Sequence, residues 1–170
     1  MNIDECRRIY SEAFGVDEEF DRILFRDFSD NLCAYTADGA VASMLFKIPC
    51  LAVKSGKPAK EVFYIYAAAT DASKRNNGYM TALMKSVIGS GSVPMILKPA
   101  SIELEGFYRT LGFKSITATT LPNMKSYIKV SDRHKKLSEM SPAPVGEYTL
   151  MYFANGYDIC DGISFPDTLE

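Results

Sequence analysis

Histidine is nearly absent from this chain: His134 is the only one in 170 residues. That argues against Ser-His-Asp and Cys-His mechanisms. Cysteine is sparse too. Cys6, Cys33, Cys50 and Cys160 lie 27, 17 and 110 residues apart, with no C-x-x-C pair. Such spacing suits neither a disulfide framework nor a metal site, so four packing thiols and no metal are expected. No run approaches about 18 consecutive apolar residues, so no membrane-spanning helix is expected. The first residues, Met1-Asn2-Ile3-Asp4-Glu5-Cys6-Arg7-Arg8, are charged and do not read as a secretory signal. Nothing at either end matches a lipidation motif. A cytoplasmic protein is expected. Charge of one sign is lacking as well. Lys plus Arg number 19 and Asp plus Glu 21, a formal net charge of −2. Without a basic excess or a basic run, neither nucleic acid nor a membrane is an expected partner.

What remains is a globular composition, 47% hydrophobic and 24% charged, in a length suited to one domain over 1–170. Residues 3–14 carry Cys6, Ile9, Tyr10, Ala13 and Phe14 at helical spacing, ending before Gly15. Asp17-Glu18-Glu19 then opens a second helix with Phe20, Ile23, Leu24 and Phe28 on one face. Leu32–Thr36 reads as a strand, Ala37-Asp38-Gly39 as a hairpin turn, and Val41–Val53 as a long strand. A solvated turn over 54–60 precedes a third strand, Val62–Ala69.

The period then changes. Met80, Leu83, Met84, Val87 and Ile88 mark an amphipathic helix closed by Gly89-Ser90-Gly91. Val93–Leu97 is a short strand. Ser101 is a plausible N-cap for a helix with Leu104, Phe107, Tyr108 and Leu111 on one face. Gly112 sits where a left-handed cap belongs, and Phe113 is placed to fold back. Strand, helix, strand, helix over 62–112 implies a crossover with its two strands side by side. Beyond Phe113, strand pieces are expected in 114–130, a loop around a short helix in 131–146, and a strand in 147–154. The tail is unassigned.

The chemistry-bearing segment is Thr70 to Met80, where a strand runs through small residues into a tight loop that opens a helix. First-turn N–H groups of a helix lack intrahelical acceptors and carry the positive dipole end, which suits a phosphate or pyrophosphate. Gly78 allows close backbone approach, and Lys74 and Arg75 place positive charge at the rim. The plain alternative is an ordinary strand–loop–helix with a solvated Lys-Arg pair. Neither G-x-x-x-x-G-K-[ST] nor G-x-G-x-x-G occurs, which argues against nucleotide-hydrolysing and dinucleotide-binding loops.

Arg75-Asn76-Asn77-Gly78-Tyr79-Met80 resembles the R-x-x-G-x-(G/A) signature of the GNAT (GCN5-related) N-acetyltransferase superfamily. The strand ending at Thr70 stands five residues before the Arg, as in that family. Phe107-Tyr108-Arg109-Thr110-Leu111-Gly112-Phe113 resembles its F-Y-x-x-x-G-F helix. The motifs cover 62–113, and element order extends the likeness to about 3–113. Met80 departs from the usual Gly or Ala, and no strand is read before the first helix.

The resemblance implies an α/β fold with a mixed, mostly antiparallel sheet flanked by helices, and acetyl-CoA as cosubstrate. It implies that backbone at Ala68 and Thr70 holds the pantetheine, and that the N–H groups of Arg75, Asn76, Asn77, Gly78, Tyr79 and Met80 hold the pyrophosphate. It implies that Tyr108 protonates the departing thiolate; on pattern alone Tyr108 reads as a core aromatic. The partner is then a small-molecule or peptide amine, and a homodimer is compatible with the reading.

No general base is legible. Tyr64 and Tyr66 stand on the strand where some relatives carry Glu, and Glu103 and Glu105 read as helix-dipole partners. The acceptor pocket is expected from the two N-terminal helices, the 54–61 turn and the C-terminal third. Two rivals share these features: a non-catalytic acyl-CoA-binding module and an interaction domain without ligand.

Overall fold

A computed structural model describes residues 2–52, 60–91, 93–120, 128–129 and 146–153. The expectations for 53–59, for the short helix in 131–146, for His134 and Cys160, and for the tail lie outside these residues. The chain packs as two compact units, 1–48 with 65–91, and 49–64 with 92–170.

The first unit begins with α1 (Ile3–Phe14), capped by Asn2, whose side chain accepts from the Glu5 N–H. Helix α2 (Glu18–Asp27) starts at Asp17, whose carboxylate accepts from the Phe20 N–H at 3.0 Å. Both helices start where the sequence placed acidic and capping residues. Strands β1 (Leu32–Ala37) and β2 (Ala40–Ala52) form an antiparallel pair. The turn between them puts Asp38 and Gly39 at φ 54° and 77°, the left-handed pair that a two-residue hairpin requires.

The unit also holds the end of β3 (Lys60–Thr70) and α3 (Tyr79–Gly89). Ile9, Ile23, Leu24, Phe28, Met44, Leu45, Phe46 and Met84 are fully buried, which accounts for the apolar stripes of α1, α2 and α3 and for the long run of β2. Edge-to-face rings, Tyr10 on Phe25 and Phe25 on Phe46 at 5.5 and 5.3 Å, tie α1 and α2 to the hairpin.

The second unit holds the start of β3, β4 (Met95–Leu97), α4 (Ile102–Thr110), β5 (Lys114–Thr120), β6 (Ile128–Lys129) and β7 (Gly146–Phe153). Its strand order is β3-β4-β7-β5. Strand β4 lies parallel to β3, Phe63 opposite Met95 and Tyr64 opposite Ile96, the side-by-side pair that the crossover requires. The β4–β7, β5–β7, β1–β2 and β2–β6 pairs are antiparallel. The fold is thus mixed α/β with a mostly antiparallel sheet, as expected.

Ser101 caps α4 by accepting from the Leu104 N–H. Gly112 adopts φ 93°, and Phe113 folds back, its N–H on the Tyr108 carbonyl at 3.2 Å and its ring 5.8 Å from the Tyr108 ring. A Cβ at Gly112 would meet the Phe153 ring at 3.0 Å, so packing demands glycine there as well as the backbone.

Some expectations change in detail. Strand β4 begins at Met95 rather than Val93, and Gly89 is the last helical residue of α3, with Ser90 as its C-cap. The α4 stripe is thinner than its spacing implies: Tyr108 is buried, whereas Leu104 is 41% exposed. No helix among the described residues is long and apolar enough to cross a membrane.

Candidate functional site

The first unit brings Ala68, Thr70 and Arg75 to Met80 together as one strand-end, loop and helix start. Strand β3 carries a defect just before its end. Ala67 has φ 51°, a left-handed conformation that costs a residue with a Cβ on the order of 1 kcal/mol. Inside a strand such a residue interrupts the regular alternation and re-aims the backbone beside it. Ala68 and Thr70 follow directly. The sequence carries no mark of this bend, since alanine favours neither bulges nor left-handed turns.

Asp71 anchors the loop. It is 7% exposed, its N–H donates to the Ala42 carbonyl at 3.0 Å, and its carboxylate accepts from the Ser73 N–H at 2.9 Å and the Ser73 hydroxyl at 2.5 Å. The Arg8 guanidinium of α1 donates to its other oxygen. The Ser73 and Arg8 hydrogen bonds hold its pKa down at about 2. Asp-x-Ser at a strand end is a short-range signal for such a turn, and it stood unread in Asp71-Ala72-Ser73. Thr70 is fixed too, its hydroxyl 2.9 Å from that of Ser43 on β2.

Past this anchor the backbone turns twice through left-handed space, at Asn76 (φ 64°) and Gly78 (φ 75°). The Asn77 side chain staples the loop by donating to the Lys74 and Arg75 carbonyls at 3.2 and 3.0 Å. The first backbone N–H of α3 with an acceptor is that of Ala82, on the Gly78 carbonyl at 2.9 Å. From Gly78 to Thr81 no backbone N–H donates to any of the described residues. Four successive donors at the positive end of a helix have the geometry that suits an anion.

Open space surrounds the Gly78 Cα, with no heavy atom within 4 Å of a built Cβ. Arg75 is exposed, its Nε 3.4 Å from the Thr70 carbonyl. The Lys74 ammonium is half-buried on the Ala37 carbonyl at 3.0 Å, where it ties the loop to the hairpin turn. Arg75 is therefore the exposed cation of the pair. Tyr79 stacks on Tyr35 with centroids 5.6 Å apart and rings 25° from parallel, which fixes the start of α3 against β1.

Tyr108 belongs to the second unit. Its ring is 7% exposed, packed between Phe107 and Phe113, and burial pushes its pKa up to about 12. Its hydroxyl has no hydrogen-bond partner among the described residues. A buried ring with an unpartnered hydroxyl keeps its proton at neutral pH and has a donor to give. Glu105 accepts from Arg109 and from the Ser115 hydroxyl, the latter at 2.5 Å, so it is committed locally. Among the described residues no group of three or more His, Cys, Asp or Glu could hold a metal, and Cys6 and Cys33 are free thiols.

Sequence reasoning also passed over Asp21. It lies in the first turn of α2, where an acid reads as a dipole partner, yet it is 6% exposed, and its Oδ1 has no hydrogen-bond partner among the described residues.

No protein-family model matches the chain, and no curated protein does. Solved structures do match. A GCN5-related N-acetyltransferase from Anabaena variabilis superposes at a TM-score of 0.59 over 68% of this chain, with 20% identity. Arabidopsis thaliana Naa50, solved with the bisubstrate analogue CoA-Ac-MVNAL, matches at 0.54 with 15% identity, covering 88% of this chain and 91% of its own. The Bacillus subtilis N-acetyltransferase YlbP, solved with coenzyme A, matches at 0.52 with 12% identity, covering 89% of this chain and 88% of its own. This chain spans about a third of the Anabaena protein, 31% of its length. At these identities the likeness is one of fold, and the fold of this chain is that of the GCN5-related N-acetyltransferases.

Proposed function

We propose that the chain binds acetyl-CoA at the 75–81 loop and transfers its acetyl group directly to a primary amine. The observation that carries this reading is the run of four unpaired N–H groups from Gly78 to Thr81, entered through the left-handed Asn76 and Gly78. A pyrophosphate satisfies such donors and the dipole behind them. The backbone of Ala68 and Thr70, beside the bend at Ala67, is assigned to the pantetheine arm. The CoA carried by YlbP and the CoA-peptide analogue carried by Naa50 support the same cosubstrate class. Acyl transfer to an amine needs a neutral nitrogen, donors for the carbonyl oxyanion and a proton for the thiolate. Tyr108 is assigned the last role. A donor with a pKa of about 12 yields its proton fully only if the thiolate's own pKa is raised by exclusion of water; otherwise it stabilises the thiolate as a hydrogen-bond donor.

Calorimetry with CoA on the wild type and on Gly78→Glu tests this loop. The substitution sets a carboxylate against the phosphates, in open space and at a cost of about 1–2 kcal/mol for the left-handed backbone. Binding should be lost while the fold is kept. Equal affinity in the two proteins would refute the site. Amine-dependent release of free thiol from acetyl-CoA then tests transfer, and CoA binding without such release would make the chain a non-catalytic acyl-CoA module.

A further inference from the structure

Helix α1 lays one polar face on β2 and on the loop between β3 and α3. Glu5, Arg8 and Glu12 stand at i, i+3 and i+7, on one side of the helix. The Glu5 carboxylate accepts from the Val41 N–H of β2 at 2.6 Å. Arg8 donates to Glu12 at 2.7 Å and to the carboxylate of Asp71, 63 residues away in sequence. Asp71 in turn donates its N–H to the carbonyl of Ala42, the neighbour of Val41, at 3.0 Å. These contacts close a ring within the first unit. Helix α1 grips β2 through Glu5, β2 grips the loop through Ala42, and the loop returns to α1 through Asp71 and Arg8.

The two partners of Arg8 differ in setting: Glu12 is exposed, whereas Asp71 is buried. An ion pair in water contributes little, but a buried carboxylate that loses its partner is left with an uncompensated charge. The loop also has strain to hold. Asn76 is left-handed without being glycine, and such a conformation persists only where its surroundings over-determine it. The loop is tied to the rest of the unit by Lys74 on the Ala37 carbonyl and by Asp71 on Arg8. The four free N–H groups of Gly78 to Thr81 stand at the far end of this loop. Donors held in place before an anion arrives bind it more tightly than donors the anion must order.

We propose that Arg8 is a positioning residue for the cosubstrate: from α1 it holds Asp71, and through Asp71 it fixes the loop that presents N–H groups to the pyrophosphate. The inference rests on the acetyl-CoA reading above and adds to it a residue outside the strand–loop–helix motif. Arg8 acts at one remove, without touching the ligand. The coupling is reciprocal, so an anion that orders the loop also tightens the bond between Asp71 and Arg8. Helix α1 and the cosubstrate loop therefore respond to CoA together.

Calorimetry with CoA, run well below the Tm of each protein, tests this. Arg8→Gln should raise the Kd about tenfold. Arg8→Lys keeps a cation beside Asp71 and should recover most of the affinity. Glu12→Gln removes only the exposed partner and should leave the Kd near wild type. In an Asp71→Asn background, Arg8→Gln should add far less than it does alone, because its effect runs through Asp71. An Arg8 that serves stability alone would lower Tm and leave the Kd of the folded protein unchanged. A Kd for Arg8→Gln within about twofold of wild type would thus overturn the inference and leave the CoA site standing. A loss that persists in full in the Asp71→Asn background would also overturn it. Absence of CoA binding by the wild type would overturn both this inference and the reading beneath it. Should Arg8→Gln fail to fold, nitrogen NMR of the wild-type Arg8 guanidinium decides. Slower N–H exchange on adding CoA supports the inference, and an unresponsive signal overturns it.

Discussion

Tyr108 illustrates how one side chain can satisfy two demands. Its ring holds α4 to Phe113, while its hydroxyl has no partner among the described residues. Replacing it with Phe removes the hydroxyl and keeps the ring. Tm should barely change, whereas kcat should drop, by about 10²–10⁴-fold for full proton donation and less if Tyr108 only stabilises the thiolate. Affinity for acetyl-CoA should stay near wild type, because only an interaction formed as the thiolate departs is removed. A Phe variant with unchanged kcat would leave Tyr108 as a packing residue. The pattern alone favours packing and only the family resemblance adds the catalytic reading, since a helical stripe specifies where a ring packs and is silent about its hydroxyl. Asp21 is the opposite case. Nothing near it in sequence marks it as buried, because its burial depends on α1 and β3 lying against it.

At the scale of the element, the junction of β3 and α3 is held by Asp71 rather than by its glycine alone. Gly78 permits the turn, but the Ser73 and Arg8 hydrogen bonds to Asp71 determine where the loop sits. Asp71→Asn weakens both charge-assisted bonds, and a loss of roughly 1–3 kcal/mol is expected from thermal or urea unfolding. The pH dependence has a definite sign. The folded pKa is depressed from 3.8 to about 2, so the Asp71 contribution is fully present above about pH 4 and fades as pH falls through 2. The wild type should lose this increment over that window, and the Asn variant should not. Identical acid profiles would show that the carboxylate does not anchor the loop. The caps at Asp17 and Ser101, the Asp38-Gly39 turn and the left-handed Gly112 were all legible, because each is decided within four residues of chain. The bend at Ala67 was not, because no local preference produces it.

For the whole molecule, ligand binding and folding are linked. A ligand that binds only the folded chain stabilises it by about 2.7 kcal/mol at a hundred times its Kd. For a chain of this size that corresponds to a rise in Tm of roughly 5–11 °C. CoA should produce such a shift in the wild type and none in Gly78→Glu. An unchanged wild-type Tm at high CoA would contradict the assigned site without reference to any amine.

Periodicity and punctuation in the sequence by themselves determined the helices, the hairpin, the parallel crossover and the place of the loop between β3 and α3. The physical reason is range: apolar spacing, caps and left-handed glycines act over a turn or two of chain. Tertiary structure alone decided which polar groups end without partners. The unpartnered Oδ1 of Asp21 and the commitment of Lys74 to Ala37 depend on distant segments meeting, as does the absence of any neighbour that would take the free N–H groups of Gly78 to Thr81. Whether a donor or acceptor is satisfied is a property of everything packed around it, and a one-dimensional pattern does not contain that information.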